Sequence, residues 1–192
     1  MHRLSSSFVL AYHGCDRLVG ERLLAGESFR PSSNDYDWLG SGVYFWEANP
    51  LRGLDFARES AGRTGASVRD PFVVGAIIDL GLCLDLTSAS GIQWVRAAYE
   101  TLIEFTRAAK LNTPRNSGDL LRRNLDCAVV NRLHEILSER QLPPVDTVKG
   151  IFTEGPPVYP NAGFREKTHV QIAVRNLQCI KGVFRVTPSS AR

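Results

Sequence analysis

Apolar positions follow a strand-like period at both ends of the chain and a helical period in its middle. The first apolar run, 8–12, reads as a short strand. It leads into a helix over 16–24, with Asp16 as its N-cap and Gly26 just past its end. A loop rich in Pro, Ser, Asn and Asp occupies 31–37, and the aromatic run 43–46 is expected to be a strand. A helix over 50–61 follows, with Asn49 as cap and Pro50 in the first turn, where a missing N–H costs nothing. The β-branched run 72–80 lies between Pro71 and Gly81 and reads as a buried strand, with 83–86 continuing it or pairing beside it.

From about 88 to 140 the period lengthens. Trp94, Val95, Ala98, Leu102 and Phe105 fall on one helical face, as do Leu125, Val129, Leu133, Ile136 and Leu137. Beyond Pro143 and Pro144 the strand pattern returns at 148–153, 169–174 and 179–186, interrupted by a loop at 155–163. The tail after Pro188 is expected to fray. Runs of strands broken by a block of helices predict an α+β fold rather than a doubly wound parallel sheet.

At 192 residues the chain is expected to form one domain, able to bury a core without disulfides or metal. An apolar fraction of 43% against 22% charged residues excludes wholesale disorder. No stretch approaches the ~20 apolar residues of a membrane span, and the N-terminus lacks a signal-peptide pattern, so a cytoplasmic protein with no membrane contact is expected. Cys15, Cys83, Cys127 and Cys179 are too scattered for a zinc site and read as reduced structural thiols. The net charge of +3 suits an anionic ligand, but no dense basic run marks a nucleic-acid grip.

Two segments place polar or aromatic side chains at strand ends beside glycines. In Tyr12-His13-Gly14 the strand ends on an imidazole able to bond a ribose hydroxyl, and Gly14 leaves a backbone N–H and C=O uncovered, a pair that suits a carboxamide. In Gly40-Ser41-Gly42-Val43-Tyr44-Phe45 the glycines open a turn, after which Tyr44 and Phe45 point to opposite faces, one free to stack on a flat ring. His134 and His169 read as satisfied edge or surface groups, and Trp38, Trp46 and Trp94 as packing residues, with Trp38 nearest the expected pocket.

Taken together, strand, His13-Gly14, helix, polar loop, Gly40-Ser41-Gly42-Val43-Tyr44-Phe45, helix and late apolar strand resemble the diphtheria-toxin-like, poly(ADP-ribose) polymerase group of ADP-ribosyltransferases. The resemblance spans most of the chain except about 88–140. It implies a split β-sheet core with flanking helices and a helical insertion, and a mono-ADP-ribosyltransferase that uses NAD as donor. His13 would bond the adenosine ribose, Gly14 would clamp the nicotinamide amide, and Tyr44 would stack on its ring. Tyr12 and Gly42 would help hold the dinucleotide as members of these two segments, and Phe56 would form a second aromatic wall. Where the family often has an amide-binding serine, this chain has the run Pro50-Leu51-Arg52-Gly53-Leu54, and Arg52 would face the pyrophosphate or lie on the surface.

The family's late-strand glutamate aligns with Gln171, which can hold a ribose hydroxyl but cannot neutralise developing positive charge. Glu154 is the first candidate to supply that charge, ahead of Glu166 and Glu47. Polymer synthesis is therefore not expected. Single transfer to a protein or nucleic acid leads, with NAD glycohydrolysis and an NAD-binding module that has lost its chemistry as alternatives. RNA 2′-phosphate transfer on a related fold is disfavoured by the lack of clustered basic residues. By position, the block at 88–140 would recognise the acceptor or an inhibitory partner, or simply extend the core. A free-standing transferase domain fits a toxin or phage-defence effector.

Overall fold

Strand alternation and helix capping together organise the computed structural model, which describes residues 8–118 and 122–187. The part of the helical block at 119–121 and the fraying expected after Pro188 lie outside them. Strands β1 (Phe8–Asp16), β2 (Val43–Glu47), β3 (Pro71–Asp79), β4 (Cys83–Asp85), β5 (Thr147–Phe152), β6 (His169–Val174) and β7 (Ile180–Arg185) form one sheet in the order β4-β5-β6-β2-β1-β3-β7. Every neighbouring pair is antiparallel except β4 with β5. With helices α1 (Arg17–Leu24), α2 (Pro50–Ala61), α3 (Ala89–Ala108) and α4 (Asn124–Glu139), the described chain is a mixed α+β fold.

The helices start where the side chains can absorb their orphan N–H groups. Asp16 accepts from the Leu18 amide at 3.0 Å, Asn49 from Arg52 at 2.9 Å, and Ser88 from Gly91 at 3.0 Å. Asp16 also accepts from the Arg69 and Asp70 amides, and these backbone bonds hold its carboxyl below the usual range. Helix α4 has no such side chain at Arg123. Instead Asn116 Oδ1 reaches across and accepts from Leu125 and Asp126.

The sheet separates two cores. Phe45, Ile172 and Val174 face one side with Ala11, Val74, Ala76 and Leu23 of α1. Ala173, Val148 and Phe152 face the other, under Ala98 and Leu102 of α3 and Val129, Val130 and Leu133 of α4. The α3 face is rotated from the expected one: Trp94 and Phe105 point outward, 45% and 52% exposed, while Thr106 turns in and shares a hydrogen bond with Thr113. A polar residue that can bond the Ile103 carbonyl is buried at little cost there. No described helix is long and apolar enough to cross a membrane.

Helix α2 lies on β1 and β3, on the same face as α3 and α4. It comes so close that a Cβ on Gly14 would collide with the carbonyl oxygen of Gly53. Strand β1 runs four residues past its expected end, to Asp16, because it pairs with β3 along its whole length, from Phe8 opposite Asp79 to Asp16 opposite Pro71. Its ladder with β2 is far shorter, with only Ala11 opposite Glu47 and Tyr12 opposite Trp46. From His13 onward β1 and β2 diverge.

Candidate functional site

The divergence of β1 from β2 leaves the Tyr44 carbonyl without a strand partner on that side, and a side chain takes it. His13 Nδ1 lies 2.8 Å from that oxygen, with the ring between Phe29 and Phe45 at centroid distances of 5.4 and 5.6 Å. A carbonyl only accepts, so Nδ1 carries the proton and Nε2 presents a lone pair. Burial lowers the His13 pKa more than this bond raises it, so the ring is neutral near pH 7.

Tyr44 is held on the opposite face. Its hydroxyl donates to the Gly40 carbonyl at 2.7 Å and accepts from the Leu39 amide at 3.1 Å, locking the turn at 39–42 against the strand. Gly40 has φ +75°, the left-handed region glycine tolerates. Gly42 is bonded both ways to Ser32. Burial pushes the Tyr44 phenol well above its usual range, so it stays a donor. Tyr12 turns away from Tyr44 and meets Phe184 edge-on at 6.2 Å. Gly14, opposite Val73 in the β1–β3 ladder, lies under α2.

Gln171 sits on β6 directly opposite Trp46 of β2 and Gly150 of β5, and is 9% exposed. Its Oε1 accepts from the Trp38 indole at 3.3 Å. The row Tyr12, Trp46, Gln171 therefore crosses β1, β2 and β6 on one face; Tyr44 lies two residues from Trp46 on that face, while His13, next to Tyr12, points to the other face with Phe45.

Around this row α2 contributes Phe56, whose ring lies 4.8 Å from Trp46, and Arg52, whose guanidinium carbon lies 5.9 Å from the Trp46 ring. The Arg52 side chain is only 11% exposed and donates from Nη2 to Glu154 at 3.1 Å, with Glu59 at 3.5 Å from Nη1. Arg52 is thus inward and paired rather than solvated on the surface. Glu154 is tied to Arg52, Glu47 pairs with Lys149 at 2.7 Å, and Glu166 lines the cavity beside α2.

Two histidines expected to be satisfied edge or surface groups are neither at an edge nor fully bonded. His169 is 5% exposed, stacked on Phe152 with centroids 5.3 Å apart, and bonded through Nδ1 to the Lys167 carbonyl at 2.6 Å. His134 on α4 has both ring nitrogens sealed and unpaired. The sequence carried one signal for His169: it lies two residues before Gln171, so strand alternation puts both on one face. The burial of Arg52 had no sequence signal, because it depends on how closely α2 approaches Trp46.

No known family model matches the chain, and no solved structure matches it. One curated protein, an uncharacterised protein of Methanocaldococcus jannaschii, is 44% identical over 36 residues, a segment that makes up 19% of this chain and 17% of the archaeal protein. The chain thus spans less than a fifth of that relative's length.

Proposed function

We propose that the chain is an NAD-dependent mono-ADP-ribosyltransferase with the split-sheet core of that superfamily, binding NAD where β1 leaves β2 and passing ADP-ribose to a macromolecular acceptor in the cytoplasm. The observation that carries this reading is the placement of His13, Tyr44 and Gln171 on the adjacent strands β1, β2 and β6, around the point where β1 leaves β2. The fixed tautomer gives His13 Nε2 as an acceptor for a ribose hydroxyl. Tyr44, Phe56 and Trp46 supply flat apolar surface for a pyridine ring. Gln171, oriented by Trp38, holds the nicotinamide ribose, and Glu154 with Arg52 supplies the nearby charges. Losing the carboxylate at 171 costs ~10²-fold in rate, which suits single transfer more than polymer growth.

The test is incubation with labelled NAD and whole-cell lysate, followed by protease or nuclease. Label removed by one of the two identifies the acceptor class. Nicotinamide release without label makes water the acceptor, and NAD binding without either product reduces the chain to a binding module. If the wild-type protein neither binds NAD nor releases nicotinamide, the reading fails.

A further inference from the structure

Buried polar atoms without hydrogen-bond partners are rare in folded proteins, and each one calls for an explanation. Three of them collect around Trp46: its own Nε1, the Nε of Arg52, and the Nε2 of His169. The Arg52 guanidinium carbon is 5.9 Å and the His169 ring 6.3 Å from the Trp46 ring. Two of the three atoms are donors. The third is an acceptor, because the bond to the Lys167 carbonyl places the His169 proton on Nδ1 and leaves a lone pair on Nε2. His169 is 5% exposed, so this lone pair is desolvated with nothing to receive. An open cavity of about 190 Å³, lined in part by Arg52, Glu59, Lys167 and Thr168, reaches the same arginine from outside.

This set of atoms selects its occupant. The occupant must accept from the Trp46 and Arg52 donors and donate to His169. A guanidinium or ammonium has no lone pair to offer Arg52 and would be repelled by it, and a carboxylate has no proton for Nε2. A neutral hydroxyl or water does both. The acids nearby do not reverse this preference, since Glu154 and Glu59 are already paired with Arg52, and Glu59 also with Lys167 at 2.7 Å.

We infer that this group of atoms, beside the cavity that reaches Arg52, receives the nucleophile of the transfer reaction, a neutral hydroxyl or water oxygen, and that His169 Nε2 takes its proton. The inference rests on the NAD reading above and names the acceptor chemistry of that same site. Position supports it, because Trp46 stands directly opposite Gln171, two residues along β6 from His169 and on the same face. In the step, the ribose C1′–nitrogen bond breaks and its electron pair returns to the pyridine ring, which leaves as neutral nicotinamide. The acceptor oxygen bonds C1′, and its proton passes to His169 Nε2 and then to solvent. Burial keeps the imidazole unprotonated beforehand. Glu154 and Glu59 favour the imidazolium once formed, and Arg52 opposes it. Gln171 cannot take the proton.

The experiment supplies the purified chain with NAD and three small acceptors: methanol as a neutral hydroxyl, agmatine as a guanidinium, and azide as a nucleophile with no proton to lose. Wild-type protein is expected to form methyl ADP-riboside alongside ADP-ribose, and no agmatine adduct. In His169→Asn, which can still donate to the Lys167 carbonyl, both oxygen products fall by ~10²-fold or more and the acid limb of the pH profile disappears, while azide restores turnover. His169→Gln is the second variant, and melting curves with and without NAD report folding and binding for each. An agmatine adduct formed in preference to methyl riboside overturns the acceptor assignment. Wild-type rate and pH profile in both variants overturn the role of His169. Neither result touches NAD binding, whereas wild-type protein that NAD does not stabilise overturns the NAD reading itself.

Discussion

The Trp38 indole donates to Oε1 of Gln171 at 3.3 Å, across 133 residues of chain, and so decides which way the amide faces. Its acceptor oxygen is occupied, and its NH₂ group is left to donate. A glutamate at 171 keeps the indole bond, now charge-assisted, and adds the negative charge that an oxocarbenium-like transition state uses. Gln171→Glu is expected to raise the rate of nicotinamide release by ~10²-fold, and Gln171→Ala to lower it. Chromatographic assay of nicotinamide checks both. An alanine variant with wild-type turnover would remove Gln171 from the reaction centre.

The contact between Gly14 and the Gly53 carbonyl gives a second prediction, on stability. Neither glycine has a positive φ, so what matters is space: β1 and α2 touch backbone to backbone. A methyl group at Gly14 must push α2 off the sheet, which disturbs Trp46 and Phe56 as well. Gly14→Ala is expected to cost ~1–3 kcal/mol, as overpacking does, whereas Gly182→Ala on β7, where nothing lies within 4 Å of the added methyl, costs far less. Urea unfolding of the two variants measures the difference.

That contact also shows what the sequence made legible. The order of strands and helices, the caps at Asp16 and Asn49, and the Gly40–Gly42 turn before Tyr44 follow from local pattern, because period, capping chemistry and turn residues are local properties. The role of Gly14 beneath α2, the inward Arg52 and the buried His169 are set by how elements pack. Arg52 looks like any solvated helix cation until Trp46 and Glu154 close over it. His169 looks like an edge residue until Phe152 stacks on it. On α3, Val95, Ala98 and Leu102 face the core as the apolar stripe predicts, but Trp94 and Phe105 fit that stripe equally well and point outward, because only docking on α4 chooses among them.

The thiols give a third prediction. Cys15 is 6% exposed, and burial, with a smaller push from the Asp16 carboxylate, drives its pKa up to about 12. Burial raises Cys83 and Cys127 in the same direction. Since the thiolate is the reactive form, these thiols are expected to resist iodoacetamide at pH 8 in the native protein and to react in urea. Mass spectrometry of both samples counts the modified cysteines, and rapid native labelling of Cys15 would contradict the packing of its side chain, on β1, against Gly20 of α1.

The last prediction concerns acid stability and one buried histidine. His134 on α4 is packed so that neither ring nitrogen has a partner, and burial, reinforced by Arg175, drives its pKa down to about 3. The unfolded chain titrates near the ordinary value of about 6.5, so between about 6.5 and 3 it binds a proton that the folded chain refuses. Stability from this group is whole above pH 6.5 and drains away as pH falls through that window, at up to ~1.4 kcal/mol per pH unit. His13 and His169 are also lowered by burial and act with the same sign, so the wild-type slope alone does not isolate His134. His134→Leu does, because it removes the titrating group and two unpaired nitrogens while keeping an apolar side chain beside Arg175. Urea unfolding at pH 7.5 and pH 5 is expected to show the wild type losing ~2 kcal/mol more than the variant across that interval. Equal losses in the two proteins would mean that His134 is solvated in the folded state.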